Sequence, residues 1–216
     1  MSAETRLVVE PLDVRARLRE LDLIETDLTE SLLTGASGMA LCTSNHPPIY
    51  AGLTFWAEAV RTLRDRKMAD GWQRSDARNY STVINADRTL QIAIARGDEW
   101  TGRHDVPDGK PSTQHKKGTA TQLAVEINQQ LSLFDEVPAV LDEVPDAATT
   151  TWVLLHYLHA HKIRCELSRP TAINSSGFVE AWGERIILGT IDLDPTRITL
   201  PDDAPVAPDV LVRRRA

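Results

Sequence analysis

The chain has 216 residues, 42% of them hydrophobic and 25% charged, which is enough apolar material for one sizeable core. Its formal net charge of −7 excludes a surface given over entirely to phosphate binding, which needs clustered Lys and Arg. The two cysteines, Cys42 and Cys165, have neither disulfide-framework nor zinc-ribbon spacing, and no apolar run approaches membrane-spanning length. With no basic-then-apolar leader after Met1, the expectation is a reducing, cytoplasmic location.

The first third reads as helical. Val14, Leu18 and Leu21 recur at i, i+4 and i+7. Asp27, with Glu30 three residues on, is expected to cap a second helix whose apolar face is Leu28, Leu32, Ala36 and Met39. The Asn45-His46-Pro47-Pro48 stretch is expected to end it. A third helix is expected from about Leu53 to Asp70-Gly71, with Trp56, Val60 and Leu63 inward and an Arg-rich face outward.

The period then changes. Residues 80–84 and 89–95 are β-favouring runs joined by the polar link Asn85-Ala86-Asp87-Arg88, which predicts a β-hairpin. Residues 97–118 are polar and almost devoid of large apolar side chains after Trp100, so 101–118 is expected to be a mobile basic loop. Helical spacing resumes over 119–130 with Leu123 and Ile127 inward. Residues 135–149, with Asp-Glu-Val-Pro twice, read as an extended acidic tether. Residues 150–158, 163–168 and 185–191 read as strands, and a poorly ordered tail is expected from about 201. The expected fold is a single α+β domain over 1–216: N-terminal helices followed by a mostly antiparallel sheet with one inserted helix.

The sharpest motif is Gln130-Leu131-Ser132-Leu133-Phe134. It resembles the peptide by which many bacterial polymerases, repair factors and replication regulators dock on the ring-shaped DNA sliding clamp, the polymerase III beta subunit. The resemblance covers five residues and implies a partner rather than an activity. In that mode Gln130 sets the register and Leu131, Leu133 and Phe134 supply the apolar contact, with Leu133 and Phe134 filling a groove on the partner. The competing reading is that these are ordinary core residues at a helix end. No nucleotide-binding glycine loop is present, and no cofactor or resident metal is expected.

Further constellations carry weaker chemistry. Arg61, Arg64 and Lys67, with Lys110, Lys116 and Lys117, offer two basic clusters that can follow a DNA backbone without reading bases, or simply face solvent. His156, His159 and His161, with Cys165 or His104, contain metal-ligand types, although histidines near a strand end are more often plain surface or turn residues. Asp98 and Glu99, with Glu126 or Glu166, would make a nuclease-like carboxylate cluster, but the Lys that such sites place two residues after the strand carboxylate is missing. The leading expectation is a non-enzymatic interaction protein of bacterial DNA metabolism, a phage-, plasmid- or toxin-type replication modulator docking on the clamp. The alternatives are a metal-dependent nuclease and an acidic inhibitor of a host DNA-binding enzyme.

Overall fold

The computed structural model describes residues 5–105, 110–131 and 149–193. In chain order these form β1 (Arg6–Val8), α1 (Pro11–Glu20), α2 (Glu25–Ala40), α3 (Pro48–Ala69), β2 (Gln73–Ser75), a 3-10 turn at Ala77–Asn79, β3 (Thr82–Ile84), β4 (Leu90–Arg96), α4 (Thr119–Leu131), β5 (Thr150–His159), β6 (Lys162–Ile173) and β7 (Val179–Asp192). The class is α+β. The strands make one sheet in the order β1-β7-β6-β5-β4-β3-β2. Four of its neighbouring pairs are antiparallel, while β4–β5 and β1–β7 are parallel. Parallel neighbours need a crossover. The one between β4 and β5 carries α4, the inserted helix expected from the sequence.

Helices α1 to α3 cover one face of the sheet. Val14 and Leu18 of α1, Leu28, Leu32 and Ala36 of α2, and Phe55 and Leu63 of α3 share a core with Ile92, Ile94, Trp152, Leu154, Leu167 and Ile186. Strand side chains alternate between faces, so Val153 and Leu155 point the other way and join Val179 and Trp182 in a second, smaller core. Close approach of α2 to α3 requires Gly35: a Cβ there would sit 2.7 Å from the Phe55 carbonyl oxygen.

Several local expectations shift. Helix α2 begins at Glu25 rather than being capped by Asp27, which lies in its first turn and is ion-paired with Arg66 of α3. It ends at Ala40, ahead of the proline pair, and Pro48 opens α3 at the first helical position, where a missing N–H costs nothing. Val60 and Leu63 are buried as expected, but Trp56 lies at the surface, 36% exposed, beside the exposed Leu53. The hairpin is β3–β4, closed by a hydrogen bond from Asn85 N to Leu90 O.

Helix α4 is rotated from its expected face. Leu123 is exposed, and the helix packs on β5 and β6 through Thr121, Ala124, Val125 and Asn128. The reason lies in the sheet: the β5–β6 ladder stops at Val153 opposite Ser168, and Pro170 has no N–H to continue it. Asn128 fills the gap, donating Nδ2 to Thr151 O and Pro170 O and accepting from Thr151 N at Oδ1. One buried amide thus replaces missing ladder bonds on both strands.

The described parts of the segment expected to be a loop are tied to the sheet. Gly97 bridges Thr113, Pro111 O accepts from the Trp182 indole, and Ser112 Oγ donates to Val179 O. Residues 132–148, which hold Ser132, Leu133, Phe134 and nearly all of the acidic tether, lie outside the described residues, as does the tail from 201. Thr149, the tether's final residue, is described and buried, just ahead of β5. No helix among the described residues is long and apolar enough to cross a membrane.

Candidate functional site

Gln130 and Leu131 form the C-terminal end of α4. Gln130 is exposed and Leu131 half-buried, and Asn128 is the last fully buried residue among those described in the helix. Those two residues are the described part of the clamp-like peptide.

The basic residues do not form one surface. Lys67 is buried; its ammonium donates to Asp22 O and Asp70 and lies 5.0 Å from the Trp72 ring centroid. Arg64 donates to Ser75 O and Thr82 O and is paired with Asp76. Arg61 is exposed but paired with Glu58 and Asp65. Each is thus engaged by a structural acceptor, which leaves less charge available to phosphates. On the other segment Lys110 and Lys116 are exposed, while burial lowers the Lys117 pKa to about 8.

The carboxylates are separated by their partners. Asp98 accepts from Trp100 N at Oδ1 and from Ser112 N at Oδ2, closing the turn after β4, and desolvation raises its pKa against those bonds. Glu99 contributes its backbone carbonyl to Arg164. Glu126 lies on the exposed side of α4. Glu166, fully buried, is held by Arg185 at 2.6 Å, by Ser168 Oγ and by Gly102 N. Arg185 also donates to Arg103 O, so this ion pair clamps β6 and β7 to the segment after β4. A buried pair satisfied on every side reads as a fastening rather than a catalytic couple.

The histidines divide in the same way. His159 and His161 are exposed at the β5–β6 turn, where Ala160 and His161 take positive φ, and His104 is exposed on the segment after β4. His156 is buried with its ring stacked on Phe55 at 4.3 Å. Cys165 is buried, and desolvation pushes its thiol up to about 12. Among the described residues no group of three His, Cys, Asp or Glu side chains is placed to hold a metal ion.

A different group emerges at the carboxyl ends of the parallel pair β4–β5. Arg96 stands opposite His156 in the register, and the Arg96 Nε and His156 Nδ1 atoms are both buried without a hydrogen-bond partner. Desolvation pushes the His156 pKa down to about 3; the charges of Arg96 and Lys117 add to that, and a contact with the Ala95 backbone works against it. Sequence reasoning named His156 and Lys117 but not Arg96, which follows the alternating run Leu90–Ala95 as its last, polar member. The parallel pairing that brings Arg96 to His156 has no local signature.

Comparison with protein-family models, with curated proteins and with solved structures finds no match to this chain.

Proposed function

We propose that the protein is an interaction protein of bacterial DNA metabolism that docks on the DNA sliding clamp through residues 130–134. The observation that carries this reading is the agreement of all five positions of Gln130-Leu131-Ser132-Leu133-Phe134 with the docking peptide, whose first two residues end helix α4. Thr121, Ala124, Val125 and Asn128 seat α4, and the exposed Gln130 leaves an amide available to a partner. In the docked state that amide sets the register, and Leu133 and Phe134 enter an apolar groove.

The arrangement of the other residues favours docking over catalysis. Asp98 and Glu166 are engaged by backbone N–H groups and by Arg185, and Arg64 and Lys67 by structural acceptors. These arrangements support clamp docking as the proposed function.

Calorimetric titration into purified sliding clamp tests it. Wild-type chain binds, and Leu133→Ala with Phe134→Ala weakens binding about a hundredfold or more, since each side chain contributes about 1.5–3 kcal/mol on burial. The melting temperature of the double variant stays within about a degree of wild type. Absence of wild-type binding, or a large fall in melting temperature in the variant, overturns the proposal, the latter because core truncation costs about 2–5 kcal/mol per residue.

A further inference from the structure

The far end of β5 leaves a hollow on the face of the sheet that carries α4. Tyr157 and His159 continue the side of Val153 and Leu155, which the helix meets only near Thr151 and Pro170. In the antiparallel ladders Arg164 lies opposite Tyr157 and Lys162 opposite His159, with Thr190 and Asp192 opposite Arg164 and Lys162 in turn. All six therefore share one face. They line a cavity of about 470 Å³, which Glu99 and Arg103 of the segment after β4 and Ala160 of the β5–β6 turn complete.

Both the shape and the charge of this cavity are built in. The segment after β4 is fastened at three points: Gly102 N donates to Glu166, Arg185 donates to Arg103 O, and Arg164 Nη2 donates to Glu99 O at 2.6 Å. The buried Glu166–Arg185 pair thus fixes one wall, and a preformed wall spares a ligand the cost of ordering it. At the turn, Ala160 and His161 take φ of 46° and 60°, a conformation that favours glycine and gathers at ligand sites. Among the lining cations, Arg103 is matched by Asp105, and Lys162 by Asp192 in an exposed and so weakly held pair. Arg164 forms no ion pair among the described residues; it meets the Glu99 carbonyl and the Tyr157 ring, whose centroid is 4.9 Å away. The Tyr157 and His159 rings are inclined by only 21° to each other.

We propose that this cavity is a nucleotide site, with the phosphate held by Arg164 and Lys162 and the base laid on the His159 imidazole beside Tyr157. The two cations are alternate residues of β6, roughly 7 Å apart along one face, a span that their long side chains close around a phosphate. The fork of Arg matches two phosphate oxygens, and Lys adds a point charge. Stacking on an aromatic ring accepts every base, so the site selects a class rather than one nucleotide. Its volume of about 470 Å³ lies within the roughly 300–1,000 Å³ of small-ligand pockets and holds one nucleotide unit, free or at the phosphorylated end of a strand. The site uses none of residues 130–134 and stands or falls apart from clamp docking.

Thermal melting and calorimetry with thymidine monophosphate, against sodium chloride of matched ionic strength, test it, alongside thymidine, inorganic phosphate and a 5′-phosphorylated hexathymidylate. A dissociation constant of ~0.1 mM gives a rise of several degrees in melting temperature at ~10 mM nucleotide. Thymidine and phosphate each engage half of the site and bind about tenfold or more weakly than the nucleotide. Arg164→Gln and Lys162→Gln each weaken nucleotide binding about tenfold or more, whereas Arg15→Gln, on the exposed side of α1, keeps it. His159→Ala weakens the nucleotide and leaves inorganic phosphate unchanged, which separates the base from the anion. Lys162 and His159 are exposed beside the turn, so those two variants guard against failure of Arg164→Gln to fold. Tighter binding of the oligonucleotide assigns the site to a strand end; equal or weaker binding assigns it to the free nucleotide. No binding of nucleotide or oligonucleotide over chloride, phosphate binding as tightly as the nucleotide, or binding that survives both the Arg164 and Lys162 substitutions overturns the proposal.

Discussion

His156 sits where a protonated imidazole is penalised twice, by burial and by the charges of Arg96 and Lys117. Its folded pKa of about 3 is below the ordinary value of 6.5. Between those values the unfolded chain holds a proton that the folded chain excludes. Stability from this residue is therefore complete above pH 6.5 and declines by about 1.4 kcal/mol per unit as the pH falls toward 3. Urea unfolding in phosphate-free buffer at pH 7 and pH 5 is expected to show this loss in wild type and a smaller one in His156→Phe, which keeps a ring against Phe55. Equal losses in both proteins would remove His156 as the cause. None of this was legible in the sequence, where His156, His159 and His161 form one cluster; the strand places the first in the core and leaves the other two at a turn.

Amphipathic periodicity located α1, α2 and α3 because each presents one apolar stripe to a single layer of strands. Helix α4 defeated the same reasoning. Its seat is polar, since Thr121 and Asn128 are buried while Leu123 is not, and the demand for a polar residue comes from the open ladder between Thr151 and Pro170. Asn128→Leu retains the volume but leaves Thr151 N, Thr151 O and Pro170 O without the amide's hydrogen bonds. The expected cost is about 2–4 kcal/mol, at about 1–3 kcal/mol for each buried group left unsatisfied and partly relieved by water. Calorimetry checks it, and a variant as stable as wild type would show that water satisfies these groups fully. Trp56 misled the reading in the opposite sense: an aromatic at helical spacing with Val60 and Leu63 was expected inward, yet α3 is already covered by α2 and the sheet on its other flank.

The α+β class and the β3–β4 hairpin were legible because both depend on neighbours in sequence. The parallel pairs were not, since β4 meets β5 across the whole crossover and β1 meets β7 across nearly the full described chain. The candidate docking peptide was legible as a motif; the meeting of Arg96 with His156 was not, because strand pairing alone brings them together. Arg17 of α1 fastens the long-range join, donating to both carboxylate oxygens of Glu184 on β7, while Thr5 Oγ1 donates to Trp182 O. Helical layer and sheet are thus expected to unfold together. Tryptophan fluorescence and far-ultraviolet circular dichroism are expected to report a single coincident urea transition; two separated transitions would divide the helices from the sheet. Pairing between β1 and β7 also sets an order of events at the ribosome. Helices α1 to α3 are synthesised before the strands that complete their platform, and β7, the last described strand, emerges after all of them, so apolar side chains such as Leu18 stay partly uncovered during translation, a burden for holdase chaperones.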